Sequence, residues 1–200
     1  MSILSKKSLL LISVWYSRNR MTTNTDEKKF PLKFIASVIF PIRDGMVCLA
    51  IKTRGIGKNK RTGYGGGQDE GENILDCTIR ELCEESGVEA DISSFTKVGF
   101  IEIKNLNIDG SLKFTCHLHI MILKSWTGDF TETPEMLDPQ WFPISDLPVE
   151  NMMPADLVWV PRILAGETLK GRLSCDPDQK IIGEAFLKPC IFDTGGFEAN

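Results

Sequence analysis

The chain has 200 residues, enough for one domain of ordinary size with a proper core plus tails. Its 42% hydrophobic and 25% charged residues belong to a globular protein and exclude a disordered chain. The net charge of −4 argues against a protein built to coat a nucleic acid polymer, and no run of about twenty apolar residues is present to span a membrane.

Six cysteines are scattered as Cys48, Cys77, Cys83, Cys116, Cys175 and Cys190, with no C-x-x-C pair. The only histidines, His117 and His119, are not at zinc-ligand spacing, so the cysteines read as buried thiols of a reducing compartment.

Residues 1–31 read as leader and linker, residues 32–190 as one domain, and residues 191–200 as a tail. The first 25 residues carry basic side chains, and Lys6 and Lys7 precede Leu9-Leu10-Leu11-Ile12. This suits a short signal without a cleavage site, an organellar transit peptide, or a dispensable leader before a true start at Met21. A cytoplasmic location is expected, or an organellar one if the leader is a transit peptide. Thr22 to Pro31 is polar and ends in proline, as a linker would.

Phe34 to Phe40 is apolar and β-branched enough for a buried strand, and Asp44-Gly45 turns into a second strand at 47–52. Six glycines then fall between Gly55 and Gly67, in a stretch that also carries Lys52, Arg54, Lys58, Lys60 and Arg61. This is a flexible, cationic loop system. From Asn73 to Ser86 the pattern is helical, with Leu75, Ile79 and Leu82 on one stripe and Gly87 as the C-terminal stop.

Strands are expected at 97–103 and 114–123, joined through Asn107-Ile108-Asp109-Gly110. Pro134 to Pro148 reads as a loop with a short strand at Trp141-Phe142. Pro154 suits the first position of a helix over 155–164. Two final strands, at 169–175 and 180–187, flank the turn Asp176-Pro177-Asp178-Gln179. Trp141 and Trp159 read as core residues. The whole is α+β, a sheet between helices.

The segment from Gly66 to Val88 reads GGQDEGENILDCTIRELCEESGV. On a helix Glu81, Glu84 and Glu85 stand at i, i+3 and i+4, so their carboxylates share a face. Such faces are usually only solvated. A hard divalent cation reverses their mutual repulsion, because Mg2+ selects oxygen ligands and retains waters and substrate phosphates. Arg80 can orient one carboxylate through its planar fork, and Glu72 lies near the helix start, where the helix dipole favours an acid.

The complete spacing, G-x5-E-x7-R-E-U-x-E-E-x-G-U with U aliphatic, decides between these readings. A full chance match in this chain is on the order of 10⁻⁷. The chain resembles the Nudix hydrolases over Gly66, Glu72, Arg80, Glu81, Leu82, Glu84, Glu85, Gly87 and Val88. The resemblance implies an α/β/α sandwich with a mixed β-sheet and a loop-helix-loop metal site for Mg2+, with Mn2+ as a substitute. It implies metal ligands at Gly65 (through its carbonyl), Glu81, Glu84 and Glu85. Arg80 and Glu72 would hold the loop in shape, and the attacking water would be deprotonated with help from a carboxylate and the metal.

The flanking stretches LAIKTRGIGKNKRTGYGGG and EMLDPQWFPISDLPVENMMPADLVWVPRIL resemble the oxidised-purine nucleoside triphosphatase (8-oxo-dGTP diphosphatase) branch, which cleans the nucleotide pool. That likeness covers about 34–188 and implies Lys52 against phosphate or sugar, with Glu135 as a further metal ligand or catalytic base. Asp156 would bond the purine edge. The bland readings are a solvated strand end, a loop charge and a first-turn helix acid respectively. The chain departs from the branch at three places. Ala155 stands where a second acid is expected, Thr62 where an asparagine contacts the base, and Met153 where an aromatic stacks on it.

The expected activity is hydrolysis of a purine nucleoside triphosphate, oxidised or ordinary, to the monophosphate and pyrophosphate. The substrate is a small nucleotide, and monomer and homodimer both stay open. Hydrolysis of an ADP-sugar or dinucleoside polyphosphate is a second reading, though the extra motifs of those branches are absent. A non-catalytic nucleotide-binding module is a third, but such modules typically lose glutamates that this chain keeps.

Overall fold

In the computed structural model the described residues are 33–183 and 185–192. The leader, the linker and most of the tail expected from sequence therefore lie outside them. Among the described residues no helix is long and apolar enough to cross a membrane.

Strand β1 (Lys33–Arg43) organises the molecule because it pairs on both sides. Its first nine residues run parallel to β5 (Leu112–Leu123), and Ile42 and Arg43 pair antiparallel with β2 (Met46–Lys52) through the Asp44-Gly45 turn. Both turn residues have positive φ, 53° and 74°, the backbone that a tight hairpin requires. With β3 (Arg61–Thr62), β4 (Phe95–Leu106), β7 (Leu169–Cys175) and β8 (Phe186–Pro189), the strand order is β3-β2-β1-β5-β4-β7-β8. The remaining strand, β6 (Met136–Pro143), pairs with β2.

Helix α1 (Ile74–Ser86) covers one face of the sheet. Asn73 Oδ1 accepts from Leu75 N (2.9 Å) and Asp76 N (3.0 Å), and Gly87, at φ 75°, closes the end by donating to Cys83 O. Leu82 buries itself among Ile39, Tyr64, Val88, Met121 and Met136. The expected stripe is shifted, since Cys77, Thr78, Leu82, Glu85 and Ser86 are buried while Leu75 and Ile79 are half-buried. Helix α2 (Val160–Leu164) covers the other face, where Trp159 meets Phe40 edge-to-face at 5.9 Å. The result is the α+β sandwich read from the sequence.

Three expectations on elements are corrected. The helix at 155–164 is broken into a 3-10 turn at Asp156–Val158 and the five-residue α2. Pro161 has no N–H to donate, so it fits only the first turn of a helix, and the helix restarts at Val160 with that proline in its first turn instead of at Pro154. Strand β6 holds the short strand expected at Trp141-Phe142 but starts at Met136, eight residues long where the sequence suggests mostly loop; a register shift opposite Leu49 and Ile51 and a positive φ at Asp138 hide the alternation of its first half. The last strand lies at 186–189, because the chain after the turn makes only a bridge at Ile181 before Gly183 (φ 79°) bends it away.

The cysteine reading fits Cys48, Cys77, Cys116 and Cys175, which are buried and free. Cys83 is exposed on α1, and Cys190 is half-buried.

Candidate active site

The site is built where the loop after β3 passes under α1. Gly65 has φ 142°, and a Cβ there would collide with Ser37 O, so only glycine fits so close to β1. A Cβ on Gly66 would meet the Glu81 carboxylate at 2.6 Å. These two glycines let the backbone reach the acidic face of the helix.

Arg80 is the hub. Its Nε and Nη2 donate to the two oxygens of Glu72 at 2.8 and 2.9 Å, a bidentate pair. Nη1 donates to Glu81 Oε1 (2.7 Å) and Glu84 Oε2 (3.2 Å), and Nη2 also reaches Gly67 O (3.0 Å). The guanidinium hydrogen bond is the main cause holding the Glu72 carboxyl below the usual range. The loop is thereby tied to the helix.

Glu85 faces the other way. It is 2% exposed, accepts from Gly65 N at 2.6 Å and from Lys52 Nζ at 3.4 Å, and Lys52 also donates to Gly65 O at 3.2 Å. Burial pushes its carboxyl up to about 7 against the pull of Lys52 and Gly65. The acid face is thus only partly solvated, with Glu84 about half exposed and Glu85 at the floor. Glu81 lies between them, and burial raises its pKa too.

The expected convergence of three carboxylates is not a closed cluster, and among the described residues no three His, Cys, Asp or Glu side chains group as metal holders. Like charges at this spacing repel, and each carboxylate is held by a cationic side chain instead. The donor set expected here, three carboxylates and the Gly65 carbonyl, would be all oxygen, which suits a hard divalent ion such as Mg2+ or Mn2+. The buried Glu85 carboxyl is the group that a divalent charge would stabilise most.

Lys52, the last residue of β2, stands against two of the oxygens expected to face a metal. Glu135, just before β6, pairs with Arg54, and its charge reaches Glu85. Sequence reasoning does not single out Arg54; its one signal is a place in the basic stretch among the glycines.

A second region lies on the α2 face of the sheet. In register, Ala36, Leu118 and Ile101 form one row, Phe34, Cys116 and Ile103 the next, and Phe114, Asn105 and Cys175 the third. Leu118, Phe34 and Ile103 lie on β5, β1 and β4 yet are only half-buried, so α2 leaves the middle of this apolar floor partly open, while Phe114, Asn105 and Cys175 in the third row are buried. Asp156, 6% exposed, borders it, with its pKa raised to about 7 by burial. Trp159 Nε1 lies close enough to temper that shift but closes no hydrogen bond of good geometry among the described residues. Asp156 N donates to Met153 O at 3.0 Å, and the Met153 side chain fills the space beside Gly57. Thr62 is buried in β3 opposite Ala50.

Comparison with known proteins agrees with this geometry. The NUDIX domain model matches residues 33–163. The oxidized purine nucleoside triphosphate hydrolase of Danio rerio is 31% identical over 137 residues, 68% of this chain and 83% of that protein. The mouse (Mus musculus) protein of the same name is 32% identical over 146 residues, 73% and 89%. Among solved structures, the mutator MutT protein from Bacillus halodurans superposes with a TM-score of 0.65 at 20% identity. That match spans 77% of this chain and 97% of the other, a likeness of fold. The chain belongs to the Nudix family of hydrolases.

Proposed function

We propose that the chain hydrolyses a purine nucleoside triphosphate, oxidised or ordinary, to the monophosphate and pyrophosphate with Mg2+ bound by Glu81, Glu84, Glu85 and the Gly65 carbonyl. The observation that carries this reading is Glu85, a buried carboxyl beside the Gly65 loop at the floor of an acidic face. A divalent ion at these oxygens would neutralise phosphate charge and make a water nucleophilic. Lys52, deep in the site beside Glu85, and Arg54, at its exposed edge, supply fixed positive charge for an anionic substrate. Glu135, paired with Arg54, takes up the proton of the attacking water. Arg80 and Glu72 keep the loop and helix in one geometry, so the carboxylates do not have to reorganise during reaction.

The relatives named above act, by their names, on oxidised purine nucleoside triphosphates. In this chain the flat apolar floor bordered by Asp156 suits a purine ring, with Met153 and Thr62 as the further pocket residues. Assaying dGTP, 8-oxo-dGTP, dATP, dCTP, an ADP-sugar and a dinucleoside tetraphosphate with Mg2+ and then EDTA, scored by product, tests this. Pyrophosphate release from a purine triphosphate, lost in EDTA and restored by Mg2+ or Mn2+, is expected. Release of a sugar phosphate instead would overturn it.

Asp156→Ala is expected to raise KM for a purine triphosphate about tenfold, the value of a strongly polar hydrogen bond. A pyrimidine triphosphate should lose less. Ala155→Asp is expected to shift preference toward 8-oxo-dGTP by restoring a second acid. The check is kcat/KM for 8-oxo-dGTP, dGTP and dCTP on all three proteins, and equal losses across them for Asp156→Ala would assign the residue to the fold.

A further inference from the structure

The recess beside Asp156 contains a polar group that the proposed activity does not yet use. Asn105 is 5% exposed on β4, in the strand position after Ile101 and Ile103 that faces the same side of the sheet. Its lateral neighbours there are Phe114 on β5 and Cys175 on β7. An amide in a row of apolar side chains costs free energy unless its hydrogen bonds are met.

They are met only in part. Asn105 Oδ1 accepts from Gln179 Nε2 at 3.2 Å, and the same Nε2 reaches Asp176 O at 3.4 Å. The Asp176 carbonyl fixes which end of the Gln179 amide is nitrogen, and so Asn105 must turn its oxygen toward the hairpin and its Nδ2 away. Among the described residues that Nδ2 has a single acceptor, the Ile103 carbonyl of its own strand, at a long 3.3 Å. Its second N–H has no acceptor among them.

Gln179 is built to hold this arrangement. It sits at φ 60°, a left-handed conformation uncommon outside glycine, in a turn closed by Gln179 N to Asp176 O and Lys180 N to Asp176 Oδ1. Its own carbonyl accepts from Ala155 N at 2.9 Å, next to Asp156. The same residue thus ties Asn105 to the turn that carries Asp156. The chain of hydrogen bonds from Ala155 through Gln179 to Asn105 places the two polar groups at the same end of the floor, where Cys175 is Asn105's neighbour in register.

We propose that Asn105 is a specificity-determining residue, oriented by Gln179, whose Nδ2–H donates to a ring carbonyl of a base lying on the floor bordered by Asp156. This rests on the reading of that recess as the base pocket. A 6-oxopurine presents such an acceptor, and a 6-aminopurine presents a donor in its place. The pair then discriminates by leaving the amide unmet when the wrong base enters.

The experiment measures dissociation constants of dGMP, dIMP and dAMP by calorimetry, with melting temperatures, on wild type, Asn105→Leu and Gln179→Leu. Monophosphate binding needs no turnover, so it is independent of the metal chemistry. In Asn105→Leu, dGMP and dIMP are each expected to weaken roughly tenfold while dAMP is little changed or tightens. Gln179→Leu should move the same ratio in the same direction by less, because the amide remains but is no longer held. Equal weakening of all three nucleotides, or an unmoved dGMP to dAMP ratio, overturns the proposal while triphosphate hydrolysis by wild type stands. Failure of wild type to bind any of the three or to hydrolyse any triphosphate overturns it together with the functional reading.

Discussion

Glu85→Gln is expected to lower kcat for a nucleoside triphosphate by roughly three orders of magnitude, about 4 kcal/mol of transition-state stabilisation. The side chains are nearly isosteric. The oxygen of the introduced amide can still accept from Gly65 N, so the loop position should survive; what is lost is a buried negative charge. Glu84→Gln removes an exposed carboxylate that already shares Arg80 with Glu81, and a smaller loss is expected. More than about a tenth of wild-type activity in both variants, under about 1.4 kcal/mol each, would sink the assignment.

Stability provides an independent check on the same residue. A carboxyl raised to about 7 binds its proton more tightly in the folded than in the unfolded chain. Its contribution is present below the unfolded value, near 4.5, and is lost as pH rises through about 7. In EDTA, wild type and Glu85→Gln should therefore melt at similar temperatures near pH 4. By pH 8 the variant should match or exceed wild type, because wild type must then bury a charge. Asp156, raised to about 7 by the same desolvation, adds a loss in the same window that Glu85→Gln leaves untouched.

That inversion, a position better for stability when its chemistry is removed, is not legible in the amino-acid sequence. The spacing of Glu81, Glu84 and Glu85 is, since it depends only on helix geometry, and so is the stop of α1 at Gly87. Burial is not, because which carboxylate goes inward depends on where Gly65 crosses the helix. That crossing is set by β1, through the Ser37 carbonyl that Gly65 passes, and no local pattern carries it.

The same reason explains the other differences. Strand β6 carries Pro139 and a positive φ at Asp138, so its pairing with β2 shows only in three dimensions. Asn105 is one polar residue in an alternating strand and reads as surface until its register with Phe114 and Cys175 turns it inward. Arg54 reads as one of several loop cations, and only its pairing with Glu135 brings it to the proposed site.

Arg80→Ala is expected to reduce kcat/KM by roughly a hundredfold or more, and Arg80→Lys to recover little of it. Arg80 meets both oxygens of Glu72 through Nε and Nη2, while Nη1 spans Glu81 and Glu84. A lysine places one nitrogen where these bonds need three, so it can neutralise one carboxylate but cannot fix the separation between the loop and the helix. Without the fork, Glu81 and Glu84 repel at i, i+3 spacing and the loop bearing Gly67 loses its anchor.

The acid limb of stability should change with it. Glu72 has its pKa lowered chiefly by Arg80, so its contribution is present above the unfolded value near 4.5 and is lost as pH falls through the depressed one. In Arg80→Ala that acid-side loss should flatten, because Glu72 titrates closer to its ordinary value in both states. Arg80 is 26% exposed, so the effect on the melting temperature should stay well below that of a fully buried pair. The measurements are kcat/KM, the Mg2+ concentration for half-maximal activity, and melting temperature from pH 3 to 8 on wild type and both variants. Arg80→Lys retaining more than half of wild-type activity would mean that charge alone suffices and that the forked geometry is incidental.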